Sequence, residues 1–282
     1  MTNILHPCRS MDVRAMTDFI DIQRGDAPLV IGLPHTGTDI PAELESGYVS
    51  PWLARKDADW WVDRLYAFAA DMGATLVRTR ISRSVIDVNR DPSGASLYPG
   101  QATTGLCPTT AFDGEPLYHT DGPDTHEVVR RTDLYFRPYH AALWSELQRL
   151  RSMHDKVVLY DAHSIRSTIP RLFDSELPQF NIGTNGGATC DIGLSNAVVA
   201  AAAMTGRGHV LDGRFRGGWT TRHYGRPAAG YHAIQMELAM RSYLDEPAIA
   251  TPENWPVAFN PENDLIHQLK TIIAACIAFA RA

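Results

Sequence analysis

At 282 residues, 44% hydrophobic and 21% charged, the chain has the make-up of an ordinary soluble globular protein. A formal net charge of -6 gives no reason to expect nucleic-acid or anionic-membrane binding, and no apolar run is long enough for a membrane-spanning helix. Cys8, Cys107, Cys190 and Cys276 are scattered without a Cys-x-x-Cys pair, and the N-terminus lacks the basic head and apolar core of a signal peptide. Free thiols in a reducing cytoplasm are the expectation.

In chain order, residues 1–26 are polar and mixed, with a short strand read around Phe19–Ile22. Ala27–Leu33 is an apolar strand that ends in Pro34-His35-Thr36-Gly37. Helical spacing starts near Asp57, with Trp61, Leu65 and Phe68 on one side, and Met72-Gly73 closes it. Ala74–Val77 reads as a further strand, and residues 91–123 as a long loop of the kind that forms lids or binding surfaces. His126 to Met153 turns helical, and Pro138 must end or bend that helix. Lys156–Tyr160 reads as a buried strand that delivers Asp161, His163 and Ser164 at its carboxyl end, where ligands sit in open α/β sheets. Residues 164–190 read as loop, Ile192–Met204 as a helix, Tyr231–Leu238 as a strand carrying Glu237, and about 262–280 as an amphipathic helix. Without repeats or a low-complexity linker, one α/β domain over residues 1–282 is expected.

Two strands that each end in a histidine suggest one site assembled from distant segments. A hydrolytic metal site takes three ligands from His and Asp/Glu and leaves a position for water. With 11 histidines in the chain, the ordinary role of any one is a hydrogen-bonded or exposed side chain. The strand-end placement of both His35 and His163 shifts the balance toward ligation. The third donor should be a carboxylate: Asp39 is nearest to His35, while Asp57, Asp59 and Asp63 lie on the next helix, where capping or a solvated face is the ordinary role. Spacing does not choose among them. Asp161 is a ligand or the acceptor that fixes a histidine tautomer. Glu237 is an exposed strand residue, a salt-bridge partner or a general base. Arg83, Arg90, Arg222 and Arg226 are surface charges or carboxylate grips, with Asn89 and His223 as neutral donors beside them. One cation, two histidines and several arginines call for a small anionic amide substrate.

These segments, together with Asp59-Trp60-Trp61-Val62-Asp63-Arg64, Ser82-Arg83…Asp87-Val88-Asn89-Arg90, Asn181-Ile182-Gly183-Thr184, Gly218–Pro227 and His232–Glu237, resemble the N-formylglutamate amidohydrolase family. They run in order over residues 28–245. The resemblance implies hydrolysis of N-formyl-L-glutamate to formate and L-glutamate, the last step of a histidine degradation route. It also implies a phosphorylase/hydrolase-like α/β fold related to zinc carboxypeptidases, with a central mixed sheet flanked by helices. By the same resemblance one divalent ion, zinc, is held by His35, Asp59 and His163, and Glu237 is the catalytic base. Asp59 is preferred to Asp57 because relatives keep an acidic residue there, and to Asp39 because that position varies. Substrate binding falls to Arg83, Asn89, Arg90, Arg222 and His223. The carboxypeptidase pattern, with Glu three residues after the first histidine, is absent: position 38 is Thr. A related metal amidohydrolase acting on another N-acylated acidic amino acid or short peptide, and a non-catalytic anion-binding protein, are the other readings.

Overall fold

The computed structural model describes all residues except 1–16, 98–99, 101 and 260–263. The first stretch of polar sequence and the two leading positions of the expected C-terminal helix therefore lie outside the described residues. Seven strands form one sheet: β1 (Ile20–Gln23), β2 (Leu29–Leu33), β3 (Thr75–Thr79), β4 (Val157–Ile165), β5 (Phe180–Gly183), β6 (His209–Leu211) and β7 (Tyr231–Ala239), in the order β1-β3-β2-β4-β7-β5-β6. The central run β3-β2-β4-β7 is parallel, while β1 and β5 pair antiparallel to their central neighbours, which makes the sheet mixed. The helices are α1 (Ala42–Glu45), α2 (Val62–Leu65), α3 (Thr125–Arg131), α4 (Arg137–Arg151), α5 (Ile192–Ala203), α6 (Trp219–Tyr224) and α7 (Leu265–Arg281). No helix among the described residues is long and apolar enough to cross a membrane.

The sheet is covered on both faces, which is why its central strands are apolar on both sides. Side chains alternate along β2: Leu29, Ile31 and Leu33 join the core beneath α5 and α7, and Val30 joins the core beneath α4. The buried stripe of α7 is Leu265, Leu269, Ile272, Ile273, Cys276, Ile277 and Ala280; that of α4 includes Tyr139, Leu143, Leu147 and Leu150. Each fully buried Leu or Ile contributes roughly 1.5–3 kcal/mol. These two layers fix the strands whose ends carry the chemistry.

Several expectations need correction. No single helix spans 57–73: Trp61 takes a left-handed backbone (φ 65°) and only Val62–Leu65 is α-helical. A Trp indole bond to Val257 O (2.8 Å) holds that turn. Of the two outcomes expected at Pro138, an end to the helix is not found: helical structure runs on from Thr125 to Arg151, with an irregular turn just before the proline. A π-helical turn, Thr132–Phe136, joins α3 to α4 and places Pro138 in the first turn after it, where a missing N–H is tolerated. The stretch read as loop over 164–190 contains β5, and β4 itself continues through Ile165, so Asp161 and His163 lie within the strand rather than beyond it.

Candidate active site

His35 follows the end of β2, and its carbonyl accepts a bond from Asp59 N (3.0 Å), which draws the 59–61 turn against it. His163 and Glu237 are directly opposite one another in the β4–β7 pairing. The result is a buried cluster of His35, Asp59 and His163 whose three candidate ligand atoms all lie within 4.8 Å of one another. Both imidazoles turn Nδ1 inward: the two Nδ1 atoms are 3.1 Å apart, and Asp59 Oδ2 is 3.2 Å from that of His163 and 3.7 Å from that of His35. Neither Asp57 nor Asp39 belongs to this cluster. Asp57 accepts Phe112 N (2.6 Å), Asp39 pairs with Arg80 (3.3 Å) on the surface, and Asp63 pairs with Arg78 (3.0 Å).

Both outward ring nitrogens meet carboxylates. His35 Nε2 is 2.7 Å from Asp87 Oδ1 and His163 Nε2 is 3.0 Å from Asp161 Oδ1. At His35 an Nε2–H donated to Asp87 leaves Nδ1 as the lone-pair atom and makes the ring a stronger donor to a metal; at His163 the Asp161 contact is an ion pair, and Nε2 also faces Asn89 Nδ2 (3.0 Å). Arg83 bridges the group, with Nη1 at 3.3 Å from Asp59 and Nη2 at 2.8 Å from Asp87. Two nitrogen donors and one carboxylate oxygen are a donor set that fits a divalent metal ion.

The electrostatics follow from this crowding. Burial works to raise the Asp59 and Asp87 carboxyls, but the charges around them win: His35 and His163 at Asp59, Arg90, His35 and Arg83 at Asp87. Both are held below the usual carboxylate range. His163 is raised above its ordinary value, because Asp161 outweighs the burial that disfavours a charged ring. Glu237 goes the other way: burial, opposed by His163, pushes it up to about 7. A carboxylate at that level both accepts and returns a proton near neutral pH.

Asn89 ties the cluster to α6. Its Oδ1 accepts Thr220 N (2.8 Å) in the first turn of that helix, and its Nδ2 lies 3.4 Å from Asp161 Oδ2 and 3.0 Å from His163 Nε2. The approach requires glycine at 218, where an added Cβ would sit 2.3 Å from Asn89 Nδ2. Gln235 continues the chain of contacts, accepting Gly218 N (2.6 Å) and donating to Glu237 Oε2 (2.9 Å), which orients the carboxylate.

A cleft opens over this cluster. Its lining includes His35, His163, Glu237 and Arg83, called the floor because they belong to the cluster or adjoin it, and Arg90, Thr104, Leu172, Arg214 and Phe215, called the wall. Of the expected substrate-binding residues, Arg83, Asn89 and Arg90 reach the cleft. Arg222 and His223 do not line it: Arg222 bonds Gly217 O and Leu97 O, and His223 stacks on Trp219 (centroids 4.1 Å) beside a separate cleft. Sequence reasoning missed Asp87, Gln235 and Arg214. Asp87 carried a signal, a lone acid between Ile86 and Val88 in a motif segment; Arg214 carried none.

The model of the N-formylglutamate amidohydrolase family matches residues 27–244. N-formylglutamate deformylases of Pseudomonas aeruginosa and Pseudomonas putida are 45% and 46% identical to the chain over 235 and 233 residues. Those alignments cover 83% and 82% of this chain and 88% and 87% of the relatives. The crystal structure of N-formylglutamate amidohydrolase from Ralstonia eutropha JMP134 superposes with a TM-score of 0.75 at 25% identity, covering 93% of this chain and 96% of that one. A gene product of Agrobacterium tumefaciens shares the fold, with a TM-score of 0.68 at 17% identity over 94% of this chain and 97% of its own. On a match that spans most of its length, the chain belongs to the N-formylglutamate amidohydrolase family.

Proposed function

We propose that the chain hydrolyses N-formyl-L-glutamate to formate and L-glutamate, as one catalytic domain acting in the cytoplasm. The observation that carries the reading is the convergence of the His35, Asp59 and His163 donor atoms beside Glu237, in a chain 45% identical to a protein named for this activity. His35, His163 and Asp59 would hold one divalent ion, zinc in our reading. Bound there, the ion supplies Lewis acidity that polarises the formyl carbonyl and makes water nucleophilic near neutral pH.

Glu237 takes the proton from the attacking water as the new C–O bond forms at the formyl carbon. It returns that proton to the amide nitrogen as the C–N bond breaks, so formate and the free amine leave. Gln235 holds Glu237 in place for both transfers through the 2.9 Å bond. Arg83 stands close enough to the floor to stabilise the oxyanion, although Asp59 and Asp87 already engage it. Arg90 is placed for a substrate carboxylate. The Asp87 carboxylate keeps the His35 ring in the ligating tautomer, and the Asp161 carboxylate lies 3.0 Å behind His163.

The test is a formate-release assay on N-formylglutamate coupled to metal analysis of the same preparation. About one divalent ion per chain and turnover lost on chelation and restored by zinc are expected. Full turnover in metal-free protein would refute the metal assignment; no turnover on N-formylglutamate beside good turnover on another N-acylated acidic amino acid would move the substrate.

A further inference from the structure

We propose that Arg214 is the residue that selects an acidic side chain on the substrate, a role that rests on the function proposed above. Arg214 lies on the segment that follows β6 and lines the same cleft as His35, His163 and Glu237. Its Nε donates to Leu172 O (3.1 Å) and its Nη2 to Ala102 O (3.0 Å). Both of these acceptors are backbone carbonyls, which orient the guanidinium at the cleft.

The other two arginines of the cleft are placed differently. Arg83 is engaged by Asp59 and Asp87. Arg90 has its Nη2 3.6 Å from Asp87 and follows Asn89 in the chain, which places it next to the metal-binding residues. Ala102 and Leu172, by contrast, have no hydrogen bond with the cluster among the contacts described. Arg90 is therefore the inner cation of the wall and Arg214 the outer one.

The substrate has the same order built into its bonds. In an N-formyl dicarboxylic amino acid the α-carboxylate sits one carbon from the amide nitrogen that reacts over the floor. The side-chain carboxylate sits further out, beyond a run of methylenes. With the formyl group at Glu237, the α-carboxylate falls to Arg90 and the side-chain carboxylate to Arg214. Leu172 and Phe215, which line the cleft with Arg214, supply apolar surface for the methylenes between. A guanidinium fork suits a terminal carboxylate and gains little from the nearly isosteric carboxamide.

Three measurements test this, on zinc-loaded full-length protein. The first compares kcat/KM for N-formylglutamate and N-formylglutamine in the parent, Arg214→Gln and Arg214→Lys. Arg214→Gln keeps amide donors for the Leu172 and Ala102 carbonyls and removes the charge. Its loss on N-formylglutamate should exceed its loss on N-formylglutamine by about ten- to a hundredfold, mostly through KM, as expected for a hydrogen bond to a charged group. Arg214→Lys should fall between it and the parent. An unchanged ratio of the two substrates, with or without an equal loss on both, would overturn the proposal. The second is thermal unfolding, which separates a bracing defect from a recognition defect: a specificity change with the parent's midpoint supports recognition. The third needs no turnover. Glutarate should bind the parent more tightly than glutaramate by titration calorimetry, and Arg214→Gln should abolish the difference. A parent that binds glutarate selectively through Arg214 yet releases no formate would sink the reaction and leave the recognition role standing. A glutarate preference that survives in Arg214→Gln would sink the role alone.

Discussion

The floor and the outer wall of the cleft are both dense in charge, but they are stabilised in opposite ways. On the floor, His35 and His163 each meet a buried carboxylate behind, and both face Asp59 in front. An unpaired buried charge costs several kcal/mol, so this arrangement is tolerable only because the groups compensate one another. On the wall, Arg90 and Arg214 donate to carbonyl oxygens of Thr104, Asn89, Leu172 and Ala102, and Arg90 also lies 3.6 Å from Asp87. A cluster rich in carboxylates suits a cation; guanidinium groups oriented by backbone carbonyls suit an anion. One cleft thus sets a candidate metal site beside arginines, the polarity that the proposed acidic amide substrate calls for.

The strongest way to break the comparison is to remove the floor. His35→Ala and His163→Ala should each lose metal and activity together, bringing metal content from about one per chain to near zero by elemental analysis. Retention of full metal in both would place the ion elsewhere. Glu237→Gln separates chemistry from binding. It should keep the metal and lower kcat at least about a hundredfold, in line with general-base contributions. Near-parental turnover would transfer the base role, with Asp161 the next carboxylate to examine.

Asp87→Asn and Asp161→Asn probe the layer behind the ligands. Each keeps its shape and loses its charge, and zinc affinity should fall about ten- to a hundredfold in competition with a chromophoric chelator. If either retains parental affinity, the rear carboxylate on that ring is a packing partner only. The mildest test concerns a histidine outside the cluster. Burial depresses His140 from its ordinary 6.5 to about 3, despite its 2.8 Å bond to Val88 O. The unfolded chain therefore takes up a proton there before the folded one does, so stability is lost as pH falls from 6.5 toward 3. His140→Gln should flatten the decline of unfolding free energy over pH 6 to 4 by up to about 1.4 kcal/mol per pH unit, measured by urea melts. Parallel slopes would show that His140 takes no part in the acid response.

Much of the sheet was legible because its central strands are buried on both faces and read as apolar runs, as at Val30–Leu33 and Val157–Tyr160. The end of β4 was not, because Asp161 and His163 are in the strand only through the β2 and β7 backbones beside them. The four residues of β5 are too few to show a period, and Pro178 just before them reads as a loop signal. Helix α7 was plain from Leu265, Leu269, Ile272 and Cys276, all on its buried stripe. In the cleft, His35 and His163 could be named from their strand ends. Asp59 needed the family resemblance, since its place depends on a left-handed turn at Trp61 that no helical spacing reveals. Arg222 and His223 were grouped with the substrate by adjacency in the chain, but α6 carries them away from the cleft that Gly218 helps to build.

The contact of Gly218 with Asn89 has a bearing on how this scaffold tolerates redesign. Asn89 supplies the capping oxygen of α6 from a segment more than a hundred residues earlier, and only the missing side chain at 218 lets it do so. Residues 87–90 and 217–222 are in effect one cassette, split in the gene and joined in space. A library that varies either half alone will mostly sample broken joints, and Gly218→Ala is the smallest such break. Grafting both halves together from a relative is the route by which the upper part of the cleft can be exchanged while the floor stays in register.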